Sequence, residues 1–144
     1  MEDIVYEQRI ELPYVYTAGA AQRAALQGLS EGRLVASSAG DWSNVPAAPF
    51  GPDGRHLREL SDAADEGVVA AATKAHHRPG APVFALIRID GASNVMLHRI
   101  AGQEVPAPGQ RVRAVWASER SGSILDIEHF ELLSGDSSSQ GASS

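Results

Sequence analysis

The chain has 144 residues, 43% hydrophobic and 21% charged, a size and composition that fit one compact domain and exclude wholesale disorder. Its 12 basic and 18 acidic residues leave a formal charge of -6, the wrong sign for a protein held to nucleic acid by phosphate neutralisation. It has no cysteine, which excludes disulfide staples, a thiol nucleophile and any thiolate zinc site.

The first eight residues carry Glu2, Asp3 and Glu7 where a signal peptide would be basic and then apolar. No apolar run reaches the roughly 18 residues that span a bilayer. The expectation is a cytoplasmic protein with no membrane segment.

Residues 1–33 read as an N-terminal segment with a helix over 17–31. Ala21, Ala25, Leu26 and Leu29 share one helical face, Thr17 can cap the start, and Gly32 lies just past the end. The small residues Ala18, Gly19, Ala20, Ala24 and Gly28 permit close approach of another chain, or of the chain's own barrel. Between Ser37 and Gly54 proline, glycine and small polar residues dominate, with Trp42, Val45 and Phe50 as the only large apolar groups, so a loop, or a small excursion held by those few side chains, is expected. Asp62 to Glu66 reads as an acidic turn.

From residue 67 to 133 the texture becomes regular. Five short apolar runs, 68–76, 82–90, 95–100, 111–117 and 124–132, are separated by turn residues and predict a small all-β barrel or sandwich. Val83, Ala85, Ile87 and Ile89 alternate with Arg88 and Asp90, and Val112, Ala114 and Trp116 with Arg111 and Arg113, so each strand has one inward face. The Pro-rich stretch 105–110 reads as a connection crossing one end of the barrel. Residues 134–144, almost all Ser, Gly, Ala and Gln, read as a flexible tail.

No catalytic constellation stands out. The adjacent His76 and His77 would point to opposite faces of a strand, His98 and His129 lie on different predicted strands, and His56 stands alone. A structural or surface role is expected for each. There is no Gly-x-Ser-x-Gly elbow, and Gly102, Gly109 and Gly122 are isolated turn glycines that form neither a Walker loop nor a dinucleotide fingerprint. Residues 68–133 hold seven basic and six acidic groups, so the barrel is nearly neutral. Arg88, Arg99, Arg111, Arg113 and Arg120 could still gather on one side. Phe84, Trp116 and Phe130 are its only large aromatics, and core packing accounts for them better than base stacking.

Several segments in order resemble the zinc-ribbon OB-fold proteins that accompany thiolase-like and other acyl-CoA enzymes, including those of bacterial steroid side-chain degradation. The similar stretches are Tyr16 to Ala21, Leu29 to Leu34, Pro82 to Gly91, Met96 to Ile100, Pro108 to Trp116 and Ile127 to Phe130. The resemblance implies a mainly β fold, a five-stranded OB barrel preceded by a helix and, over 34–66, a degenerate ribbon-like region. Family members carry two Cys-x-x-Cys knuckles; Ser38 and Asp41 stand at the first and Gly51 and Gly54 at the second. Zinc is therefore not expected, and the ribbon region should be held by packing of Trp42, Val45 and Phe50.

By the same resemblance the chain would be a non-catalytic subunit that binds a thiolase-like or lipid-transfer-type catalytic subunit. Arg88, Arg99, Arg111 and Arg113 would then be acyl-CoA contacts, with the CoA thioester as a ligand of the complex. Ala18, Gly19, Ala24, Gly28, Trp42 and Phe50 would form the partner interface. A stand-alone small enzyme and a single-strand nucleic-acid binder stay open as alternatives.

Overall fold

The computed structural model describes residues 12–133, with side chains from residue 19 onward. It begins with helix α1 (Leu12–Ser30), followed by β1 (Leu34–Ala39), β2 (Trp42–Asn44), β3 (Glu59–Ala63), β4 (Glu66–Lys74), β5 (Val83–Ile89), β6 (Met96–Ile100), β7 (Arg111–Trp116), a 3-10 turn at Ile124–Asp126 and β8 (Ile127–Leu132). The expected tail, 134–144, lies outside the described residues.

Strands β4 to β8 close into a barrel of order β4-β5-β6-β8-β7, with β7 returning to β4. All neighbours are antiparallel except β6 and β8, which are parallel at Ile100 and Phe130. This is a mainly β, OB-like architecture. The expected alternation holds on β5, where Val83, Ala85, Ile87 and Ile89 are buried and Arg88 and Asp90 are exposed. Gly67 on β4 faces Ile89 so closely that an added Cβ would overlap the Arg88 carbonyl oxygen, so only glycine permits this pairing. Residues 105–110 join β6 to β7, and Gly109 and Gln110 exchange backbone hydrogen bonds with Val69 of β4.

Three expectations are corrected. The helix already runs at Leu12, so Thr17 lies inside it and not at its N-terminus. Pro13 suits the first turn, where its missing N–H costs no hydrogen bond. Gly32 does end the helix, with φ +76° and its N–H bonded to the Leu29 carbonyl. The stretch expected as a loop instead contributes to a three-stranded antiparallel sheet, β2-β1-β3. The expected acidic turn is mostly strand: β3 runs to Ala63 and β4 starts at Glu66, leaving only Ala64 and Asp65 between them.

The small sheet and the helix share the barrel's core. Leu29, Leu34, Ala36 and Val45 pack in one cluster with Val69, Ile87, Ile127 and Phe130. Polar bonds fix the junction. Asn94, on the β5–β6 connection, accepts from the Val45 N–H at 2.9 Å and donates to the Val45 carbonyl at 3.0 Å, pairing with it as a strand would. Ser93 does the same for Ser43, through its hydroxyl and its own N–H. At the other end, the Arg120 guanidinium donates to the Ser30 carbonyl at 3.1 Å, placing a cation at the negative end of α1.

Candidate functional site: the small sheet, the helix face and the barrel arginines

The four expected knuckle positions fall on two tight turns. Ser38 and Asp41 flank the β1–β2 hairpin turn, where Ala39 pairs with Trp42. Gly51 and Gly54 bound a second turn closed by the Gly54 N–H on the Gly51 carbonyl and by a bridge between Phe50 and His56. Arg55 joins them. Its Nη1 donates to the Ala39 carbonyl and to Asp41 Oδ1, both at 3.2 Å, while Nε and Nη2 reach Asp53 Oδ2 at 3.2 and 3.0 Å. The bonds from Arg55 hold the Asp53 carboxyl below the usual carboxylate range and raise the guanidinium itself.

A structural zinc needs four protein donors in tetrahedral array. Gly51 and Gly54 offer no side-chain donor, and the Asp41 carboxylate, 96% exposed, turns to Arg55. Among the described residues no three His, Cys, Asp or Glu side chains converge. These residues do not fit a zinc ion.

The expected packing residues differ in role. Val45 is buried at 2% exposure, whereas Trp42 and Phe50 are half-buried. Trp42 donates its indole N–H to Asn44, and Phe50 meets the His56 ring edge-on at 4.6 Å.

On the helix, Gly28 is not available to a partner. It is buried, and a Cβ there would lie 2.6 Å from Val35 Cγ2 and 2.9 Å from the Arg33 carbonyl, so its small size lets β1 lie against α1 within the chain. Ala24 is half-buried and packs beside Ala21, Ala25, Val35 and Ala47. Gly19 stays half-exposed, and the side-chain surroundings of Ala18 lie outside the described part. Between the helix and the small sheet, Ala20, Pro49, Leu57 and Leu60 line a hollow of about 300 Å³.

Of the four barrel arginines, Arg111 and Arg113 come together on Glu66, while Arg88 and Arg99 stand apart. Arg111 grips Asp90 with two bonds of 2.8 and 2.6 Å and reaches Glu66 at 3.2 Å; Arg113 reaches Glu66 at 3.0 Å and Glu131 at 4.0 Å. The hydrogen bonds that Arg111 donates to Asp90 raise its guanidinium, and the carboxyls of Glu66 and Asp90 are lowered by their arginine partners. Arg88 lies two strands from Arg111, with Val68 between them, roughly 10 Å away. Arg99 is opposite Phe84, about 13 Å further along the β5 ladder. Among the described residues neither Arg88 nor Arg99 has an ion-pair partner.

Between them lies a feature that the residue-by-residue reading missed. Leu86 and Leu97 are direct cross-strand partners on the outside of β5 and β6, exposed at 38% and 64%. The same alternation that places Ile87 inside puts them outside, so the signal was in the sequence.

The titratable groups that are buried serve the backbone. His98, 7% exposed, accepts from the Arg99 N–H through Nδ1 at 2.8 Å, so its proton sits on Nε2, which donates to the Ile124 carbonyl at 3.2 Å. His129 neighbours the inward-facing Phe130 in sequence and so points out of the wall that His98 enters; the two histidines cannot meet. Asp126, 3% exposed, accepts from the N–H groups of Ser121, Gly122 and Ser123 at 2.9, 2.6 and 3.1 Å. Burial pushes its pKa up, but those three donors and the nearby Arg120 outweigh it and hold the carboxyl below its usual range.

Among the described residues no helix is long and apolar enough to cross a membrane. No family model matches the sequence, and no curated protein is significantly similar to it. Solved structures are similar in fold. A chain of the Ltp2-ChsH2(DUF35) aldolase matches with a TM-score of 0.55 and 18% identity over 77% of this chain and 93% of that one. A protein of unknown function of the DUF35 family from Sulfolobus solfataricus matches with a TM-score of 0.58 and 17% identity over 83% and 86%. At these identities the likeness establishes the fold: a helix and small sheet leading into an OB-like barrel, an arrangement shared with proteins of the DUF35 family.

Proposed function

We propose that this chain is a non-catalytic accessory subunit of an acyl-CoA enzyme complex of thiolase, aldolase or hydratase type. It stabilises a thiolase-like or lipid-transfer-type catalytic subunit and helps to shape the acyl-CoA channel, in steroid or other lipid degradation in the cytoplasm. The observation that carries the reading is the fold likeness to nearly the whole of a chain of the Ltp2-ChsH2(DUF35) aldolase, whose name joins two components. The local chemistry supports it: His98 and Asp126 are fully engaged with backbone groups and the arginines do not converge on one point. Such a protein works by contact.

The exposed Leu86–Leu97 pair, flanked by Arg88 and Arg99, has the apolar centre and polar rim of a docking patch. Arg88 and Arg99 are better placed than Arg111 and Arg113 to meet CoA phosphates, because carboxylates already neutralise the latter pair. Affinity purification of the chain from its native host, followed by mass spectrometry and assay, tests the proposal. Expected are a stoichiometric acyl-CoA enzyme in the eluate and no turnover by the isolated chain. A chain that stays monomeric beside its co-expressed thiolase-like neighbour overturns it, as does turnover by the isolated chain that one His or Asp substitution abolishes.

A further inference from the structure

We propose that the Arg55 guanidinium locks the two turns of the small sheet together, doing in this chain, without a metal, what a zinc ion would do between two cysteine knuckles. The expected ligand positions Ser38, Asp41, Gly51 and Gly54 retain the two turns and lack a zinc donor set. A single cation reaches both turns from within the second. It holds a backbone carbonyl and a carboxylate of the first turn, Ala39 and Asp41, and the Asp53 carboxylate of its own.

Guanidinium suits this task for three reasons. It stays protonated throughout the physiological range, its five donors form a rigid planar fork, and its weaker hydration lowers the cost of holding it between two loops. The surroundings are shaped for it. Gly40, at φ +60°, leaves room for the fork, since a Cβ there would stand 3.3 Å from Arg55 Nη1. The Asp53 carboxylate also accepts the Arg55 N–H through Oδ1 at 3.1 Å, which fixes backbone and side chain of the lock together. Beyond it, the second turn is zipped by the Gly51 N–H on the Arg55 carbonyl at 2.9 Å and the Leu57 N–H on the Pro49 carbonyl at 3.0 Å.

Each exposed ion pair taken alone is weak. The effect lies in the closure: Arg55 ties residue 41 to residue 55, so losing it frees the intervening chain at its outer end, while Val45 and Asn94 still anchor the inner end. The prediction is therefore local. Order in the turns depends on Arg55 and not on chelators or thiol oxidants, and the barrel is indifferent to both.

Amide exchange by NMR on the full chain tests this, with Arg55→Ala and the milder Asp53→Asn, whose partner groups are exposed. Arg55→Ala should speed exchange of the Gly51 and Leu57 amides by about three- to tenfold, with Asp53→Asn in the same direction but smaller. Arg55→Lys, which keeps charge and loses the fork, should fall between parent and alanine variant. The Val69 and Ala101 amides, bonded within the barrel, should not change. Two results overturn the proposal: Gly51 and Leu57 exchange unchanged in both Arg55→Ala and Asp53→Asn, or stoichiometric zinc in the purified chain whose removal by chelator releases those amides.

Discussion

Removing the imidazole of His98 is the most informative single perturbation of the barrel. The ring is 7% exposed, sits edge-on to Phe130 with centroids 5.4 Å apart, and accepts the Arg99 N–H at 2.8 Å. The Ile124 carbonyl that it also meets has a second donor in the Ile127 N–H, so that acceptor survives its loss. The Arg99 N–H loses the ring as its acceptor, and a hydrogen-bond donor left unpaired costs about 1–3 kcal/mol. His98→Ala adds the cavity left by an aromatic ring, about 2–4 kcal/mol for a group smaller than phenyl. The expected total is about 3–7 kcal/mol, a large part of the roughly 5–15 kcal/mol available to a domain. His98→Phe keeps the volume and the contact with Phe130 and should cost only about 1–3 kcal/mol. Urea titration followed by circular dichroism measures both, read as the shift in midpoint at constant slope. Equal losses in the two variants would refute the reasoning, as would His98→Ala within about 1 kcal/mol of parent, since the packing and hydrogen-bond contributions would then not be separable as described.

Four further outcomes are expected. Gly67→Ala drives a methyl group onto the Arg88 carbonyl, with Ile89 Cα only 2.9 Å away, and should cost about 3 kcal/mol or more by splitting β4 from β5; a soluble variant with parental thermal midpoint would contradict it. Gly28→Val should detach α1 from β1 and expose Val35, seen as increased binding of a hydrophobic dye, while Gly19→Ala should be silent. The carboxyls of Glu66 and Asp90 are lowered in the fold, so their contribution is present above the unfolded-state values and is lost as pH falls through the folded ones. The thermal gap between parent and Arg111→Met should therefore shrink from about pH 7 to about pH 3, and a gap that holds or widens would sink the assignment. Leu97→Asp should leave the melting temperature within about 2 °C, being a surface change, yet weaken capture of the partner proposed above at least about tenfold; undiminished capture would overturn the proposed docking patch.

The barrel was the most legible part of the chain because its strands alternate: one side of β5 is aliphatic and the other carries Arg88 and Asp90. The small sheet was not, for opposite reasons in its two main strands. Leu34 to Ser37 are buried on both faces and show no period of two, whereas Glu59 to Asp62 are exposed on both and read as a polar turn. The helix start was masked by Thr17, a good cap in a position where the helix was already running. At the candidate site, the fate of the cysteine positions could be read residue by residue, but the role of Arg55 could not. Its partners Ala39 and Asp41 lie 16 and 14 residues away, and only the pairing of two turns brings them together. Arg111 and Arg113 illustrate the converse, since alternation put them on the outside while the carboxylates that neutralise them come from β4, the turn after β5, and β8.

A closed barrel has no edges, and β2 is shielded by Ser93 and Asn94, so among the described residues β3 is the flank where a foreign strand could add. Val35 directs its carbonyl to Ala47, away from β3, which leaves the backbone groups of its partner Asp62 turned outward. That flank carries Glu59 and Asp62, the latter paired with Arg33 at 2.8 Å, with Arg58 just before and Asp65 just beyond, so charges of both signs border it. Charged side chains along an open strand disfavour the addition of an apolar strand from another chain, so this flank carries its own protection against edge-to-edge pairing.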